Sequence, residues 1–153
     1  QSRASWKIYS PLDSPDLKWV SHNISSVNYE SPLQFEHKDL IIFSSKKDKM
    51  VFDNLKLNYD TTSVLAEGNY RGILKELDRD FKHYNNIYCF LDFDKAGERS
   101  TQIIENESNG RIKGLYAPYD VLNYFYFKGI KDIDEIYTML GKDALIRFVK
   151  KIS

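Results

Sequence analysis

The sequence predicts an α/β chain: a mainly parallel sheet of about four strands flanked by helices, with a small β appendage at the N-terminus and a helical C-terminus. Three observations predict it. Short apolar runs alternate with amphipathic stretches from Asp39 onward. The runs are continuous, as strands buried on both faces require. Beyond Asp132 only helical spacing remains.

The elements follow in order. Lys7-Ile8-Tyr9-Ser10 and Lys18-Trp19-Val20-Ser21 read as two short strands separated by a Pro- and Asp-rich turn, then an irregular linker through Pro32. Leu40-Ile41-Ile42-Phe43 is the first core strand, followed by a helix over 47–56 with Met50, Val51 and Leu55 on one face. Ser63-Val64-Leu65-Ala66 is the second strand, and Ile73, Leu74, Leu77, Phe81 and Tyr84 lie at the spacing of one helix. Ile87 to Leu91 is the clearest strand; a helix over 96–106 follows it, stopped by Asn109-Gly110. A fourth strand is expected at 112–117, and helices at 132–140 and 142–152. The division expected is 1–37 for the appendage and linker and 38–153 for the core.

Composition limits the function classes. At 153 residues, 42% hydrophobic and 29% charged, the chain is long enough to bury a core and is globular in profile. Lys+Arg and Asp+Glu are both 22, and this neutrality argues against a large DNA footprint of the chain's own. The single cysteine, Cys89, excludes an internal disulfide and a cysteine-based zinc cluster, and its apolar run predicts a buried thiol. No apolar run approaches the about 18 residues of a membrane span, and no signal-peptide pattern opens the chain, so a cytoplasmic protein without membrane contact is expected. The chain opens at Gln1 without an initiator Met, as a piece of a longer protein would.

Right-handed crossovers put the strand-to-helix loops of such a sheet at one edge, where ligands bind. The loops there are 44–48, 67–70 and 92–97. In Asp92-Phe93-Asp94-Lys95-Ala96-Gly97, Asp92 and Asp94 point the same way on an extended segment. Two converging carboxylates are hard-oxygen ligands suited to Mg²⁺ or Mn²⁺, and Gly97 permits a close turn into the helix. Helix capping is the other use of such an Asp. Glu67 follows the second strand and is either a third carboxylate of the same crevice or a solvated loop residue. At Ser44-Ser45-Lys46-Lys47-Asp48 a helix start and two lysines suit a phosphate, while Ser45 as a cap with solvated lysines accounts for the same residues. The aromatics Tyr116, Tyr119, Tyr124, Phe125, Tyr126 and Phe127 suit either base stacking or core packing. His22, His37 and His83 show no metal-ligand spacing, and there is no phosphate loop, nucleophile elbow or helical His-Glu-x-x-His.

Taken together, these segments resemble the Toprim domain of bacterial-type primases, topoisomerases and certain nucleases. That family carries Glu-Gly-x-x-Asp after its first strand and Asp-x-Asp-x-x-Gly after a later one. Residues 92–97 match the second pattern in full, and Asp48 matches the Asp of the first. Ser44-Ser45 stands where the family has Glu-Gly. A phage and mobile-element branch of primase-like proteins has a Lys-Ser-x-Lys-Asp-like motif there instead, with an acidic residue after the second strand. Ser44 to Met50 and Glu67-Gly68-Asn69 resemble that branch. So do Trp6 to Pro11 with Lys18 to Ser21, and the closing segment Gly129 to Ile136.

The resemblance implies a Toprim-like fold and Mg²⁺- or Mn²⁺-dependent nucleotidyl transfer that makes RNA primers on single-stranded DNA. It implies Asp92, Asp94 and Glu67 as catalytic metal ligands. Lys46, Lys47, Lys95 and Asp48 would serve nucleoside triphosphate or template. The partners it implies are single-stranded DNA, nucleoside triphosphates, a zinc-binding template module and a replicative helicase on other chains or domains. Two other readings stay open: a Toprim nuclease, and a non-catalytic domain that binds nucleic acid or a replication partner.

Overall fold

A computed structural model describes residues 6–9, 12, 19–22, 33, 35–63, 70–75, 77 and 79–152. Strands β1 (Trp6–Tyr9) and β2 (Trp19–His22) pair antiparallel, with Trp6 opposite His22. The main sheet holds β3 (Asp39–Phe43), β4 (Asp60–Ser63), β5 (Asn86–Phe90) and β6 (Ile112–Gly114) in the order β4-β3-β5-β6, every pair parallel.

The two central strands are the most apolar because both their faces are covered. Ile41 and Phe43 of β3 pack with Phe90 of β5 against one layer, built from helices α1 (Lys46–Asp53), α4 (Tyr119–Lys128), α5 (Ile133–Leu140) and α6 (Lys142–Ile152). Leu40 and Ile42 pack with Ile87, Cys89 and Leu91 against the other layer, which includes α2 (Tyr70–Lys75) and α3 (Lys95–Glu107). Period-two alternation thus divides each strand between two cores. Cys89 is fully buried, as its run predicts.

Four expectations are corrected. The second core strand begins at Asp60, earlier than expected, and residues 64–66 lie outside the described set. Its sequence, Asp-Thr-Thr-Ser, has no apolar run; the pairing with β3 and the bonds to Asp60 make it a strand. The buried Asp60 accepts from the backbone of Glu36 and His37 and from the Tyr84 hydroxyl, the last at 2.7 Å. The single helix expected through Tyr84 is α2 followed by a 3-10 turn at Asp80–His83, because Asn85 is drawn into the sheet by a backbone bond to Lys38. Strand β6 ends at Gly114, short of the expected Ala117, with one last bond to β5 from the Leu115 N–H to the Cys89 carbonyl at 2.9 Å. Helix α4 occupies the aromatic run, where the sequence pattern predicts no element. Pro118 precedes it and Gly129, at φ 73°, closes it in the left-handed conformation that glycine adopts without strain.

Candidate metal centre

The sheet order carries the placement. The chain leaves β3 toward β4 on one side and returns to β5 on the other, so the topological switch lies between the carboxyl ends of β3 and β5. At that point the connections splay apart and leave a crevice. Phe43 and Phe90 are the last paired residues there, so Ser44 and Leu91-Asp92 emerge side by side.

Three carboxylates meet in this crevice. Asp48, Asp92 and Asp132 each present an oxygen, and these oxygens lie within 4.8 Å of one another. Asp48 sits in the first turn of α1 and is 4% exposed. Ser45 caps that helix: its Oγ accepts from the Asp48 N–H at 3.2 Å and donates to Asp48 Oδ2 at 2.8 Å. Ser44 Oγ donates to Asp92 Oδ1 at 2.9 Å, tying the two strand ends together. Asp132 is the N-cap of α5, accepting from the Glu135 N–H at 2.8 Å, while Glu135 reaches back to the Lys131 N–H at 2.7 Å. The segment carrying Asp132 is held against the acidic loop by a 2.6 Å bond from the Phe93 N–H to the Lys131 carbonyl. Packing of Phe93 between Phe125 and Phe148 anchors the same contact.

The electrostatics follow from this crowding. Burial pushes the Asp48 carboxyl up to about 6; the Ser45 bond opposes that shift, and the Asp132 charge adds to it. Burial likewise raises Asp92 against the Ser44 bond, with Asp132 and Asp94 adding repulsion. Asp132 is raised by burial despite its bond from the Glu135 N–H, with the Glu135 charge adding to the shift. Such a group of oxygens gains from a divalent cation, which removes their mutual repulsion. The donor chemistry fits Mg²⁺ or Mn²⁺, hard ions that take carboxylate oxygen and keep water.

The residues singled out in the sequence separate into distinct places. Asp92 belongs to the convergent group. Asp94 lies beside it but caps α3, accepting from the Gly97 N–H at 2.8 Å. Asp48, expected on the substrate side, is in the carboxylate group itself. Glu67 lies outside the described residues. Lys47 is bonded to Asp134 at 2.7 Å, and although burial opposes it, that bond and the surrounding carboxylates raise its pKa. Lys46 and Lys95 are exposed in the first turns of α1 and α3. Gly97 is obligatory: a Cβ there would strike the Asp92 backbone, with the carbonyl carbon at 2.8 Å.

Asp132 is the participant that motif reading missed. Its capping pattern, Asp-x-x-Glu before an apolar stretch, was visible, but nothing in the sequence brings it 40 residues back to Asp92.

No known protein family matches the chain, and no curated protein matches it in sequence. Among solved structures, the crystal structure of the primase fragment of the bacteriophage T7 primase-helicase protein aligns with a TM-score of 0.57 at 15% identity. The fold is Toprim-like. The alignment covers 74% of this chain and 44% of that one, so the chain spans less than half the length of the fragment it resembles. Among the described residues, no helix is long and apolar enough to cross a membrane.

Proposed function

We propose that this chain is the metal-binding Toprim domain of a primase, of the phage and mobile-element kind, that joins ribonucleotides into RNA primers on single-stranded DNA. The observation that carries the reading is the convergence of Asp48, Asp92 and Asp132 within 4.8 Å at the switch point of a Toprim-like sheet. Likeness in fold to a phage primase fragment supports the reaction class.

In this reading Asp48, Asp92 and Asp132 hold Mg²⁺ or Mn²⁺. When bound, the ion orients the triphosphate and neutralises charge that develops on it during transfer. The remaining residues position these ligands. Ser44 and Ser45 fix the carboxylate rotamers of Asp92 and Asp48, and Asp94 sets the loop by capping α3. Glu67, from the loop after β4, is a proposed additional ligand. Lys46, Lys47 and Lys95, around the first turns of two helices, favour phosphate. Template recognition and unwinding are assigned to a zinc-binding module and a helicase on other domains or chains.

A second reading rests on a specific feature. Ser44-Ser45 stands where Toprim catalytic domains carry Glu-Gly, as a domain retained for nucleic-acid or partner binding would allow. Metal titration separates the two. Primer synthesis by a longer form carrying the template module, dependent on nucleoside triphosphates and lost in Asp92→Asn, supports the first. A chain that binds no divalent ion at millimolar concentration leaves the second.

A further inference from the structure

Beside the carboxylates lies a cavity of about 330 Å³, in the size range of a small-molecule site. Asp92 belongs to both: it is one of the three converging carboxylates and also part of the cavity wall. Its apolar lining includes Leu91, Leu115, Ala117 and Leu122, just past the carboxyl ends of β5 and β6 and on α4. Tyr116 and Tyr119 also line it, 40% and 80% exposed. The Tyr116 ring is fixed in place: its hydroxyl donates to Glu105 Oε2 at 2.6 Å, and the other oxygen of Glu105 holds the Gly114 N–H. The ring also lies over Gly114, where a Cβ would come within 2.7 Å of it. Glu98 and Gln102, on successive turns of α3, supply the polar part of the wall.

We propose that this cavity seats the base and sugar of the nucleotide whose phosphates go to the carboxylate centre, an inference that rests on the metal-binding reading of that centre. A nucleotide is flat and largely apolar at one end and polyanionic at the other, and the two neighbouring sites differ in the same way. The apolar lining and the tyrosine rings take the face of a base. Gln102 offers both a donor and an acceptor to the sugar hydroxyls. The Glu98 carboxylate accepts from sugar hydroxyls and repels phosphate, which fixes the direction of the ligand: base toward α3 and α4, phosphates toward Asp92. Every base presents such a face, so the cavity takes any of the four and leaves the edge to the template.

The test is NMR titration of the whole chain, first with adenosine and uridine in the absence of metal, then with a ribonucleoside triphosphate and Mg²⁺. Nucleoside alone is expected to shift Gln102, Leu115 and Leu122 at millimolar concentration. Gln102→Ala should weaken that binding about three- to tenfold, the worth of one neutral hydrogen bond. Leu122→Trp, which fills the cavity from α4, should abolish it with the remaining spectrum preserved. Nucleoside that leaves these three residues unmoved overturns the proposal, as does unchanged affinity in Gln102→Ala, a surface variant that keeps the fold. A Mg²⁺ response at Asp48, Asp92 and Asp132 alongside a silent cavity removes the base site and leaves the metal centre standing. The converse result, nucleoside binding without a metal response, keeps the base site and removes the centre.

Discussion

Ser44 Oγ donates to Asp92 Oδ1 at 2.9 Å across 48 residues of chain, joining the carboxyl ends of the two central strands. This bond is what Ser44 contributes at the position where Toprim domains carry a glutamate: a neutral donor that orients a carboxylate, where a glutamate would add another charge. Ser44→Ala is expected to lower unfolding free energy by about 1–2 kcal/mol at neutral pH without metal, the range for a partly exposed hydrogen bond to a charged group. Urea denaturation measures it, and Ser44→Thr should restore most of the loss.

The raised carboxyls set a pH dependence of definite sign. Asp48 rises from 3.8 to about 6 on folding, so between those values the native state binds more protons than the unfolded one. Stability therefore falls as pH climbs through that window, and Asp48 alone contributes a loss of at most about 3 kcal/mol. Asp92 and Asp132 shift in the same direction. The urea midpoint of the metal-free chain is expected to fall more steeply between about pH 4 and 6 than that of the Asp48→Asn variant, and Mg²⁺ should recover stability chiefly above about pH 6, where the carboxylates are ionised.

Gly97→Ala is expected to cost about 2–4 kcal/mol, because the new Cβ runs into the Asp92 backbone, which cannot yield as a flexible side chain would. Thermal or chemical denaturation gives the magnitude. Chemical shifts of Asp92 and Phe93 should move with it.

Asp94 and Asp132 are both helix N-caps, yet only Asp132 joins the carboxylate group. Asp94→Asn, which retains a capping oxygen, should leave stability within about 0.5 kcal/mol and reduce metal affinity only modestly. Asp94→Ala should cost about 1 kcal/mol in stability.

The sequence revealed most of what is held by local pattern. Strands β3 and β5 were legible because burial on both faces demands continuous apolar runs, and their ends located the acidic loop. Strand β4 was not, since Asp60-Thr61-Thr62-Ser63 is polar and owes its conformation to pairing with β3 and to the partners of Asp60. Helix α4 was hidden because its run of aromatics has little amphipathic contrast: Phe125 is buried while Tyr119 and Phe127 are 80% and 85% exposed. Of the carboxylate group, Asp92 is legible as a ligand from its loop. The motif at Asp48 points to a substrate role rather than to this group, and Asp132 joins it through the Phe93–Lys131 bond, a tertiary contact that no spacing encodes.

The most direct measurement is Mn²⁺ titration monitored by backbone NMR on the wild type and on Asp132→Asn, which keeps a helix cap while losing the charge. The expected result is broadening centred on Asp48, Asp92 and Asp132 in the wild type, with affinity falling by roughly tenfold or more in a variant that remains folded. Equal affinity in Asp132→Asn, or broadening centred away from these three residues, would contradict the metal centre described for the Asp48–Asp92–Asp132 group.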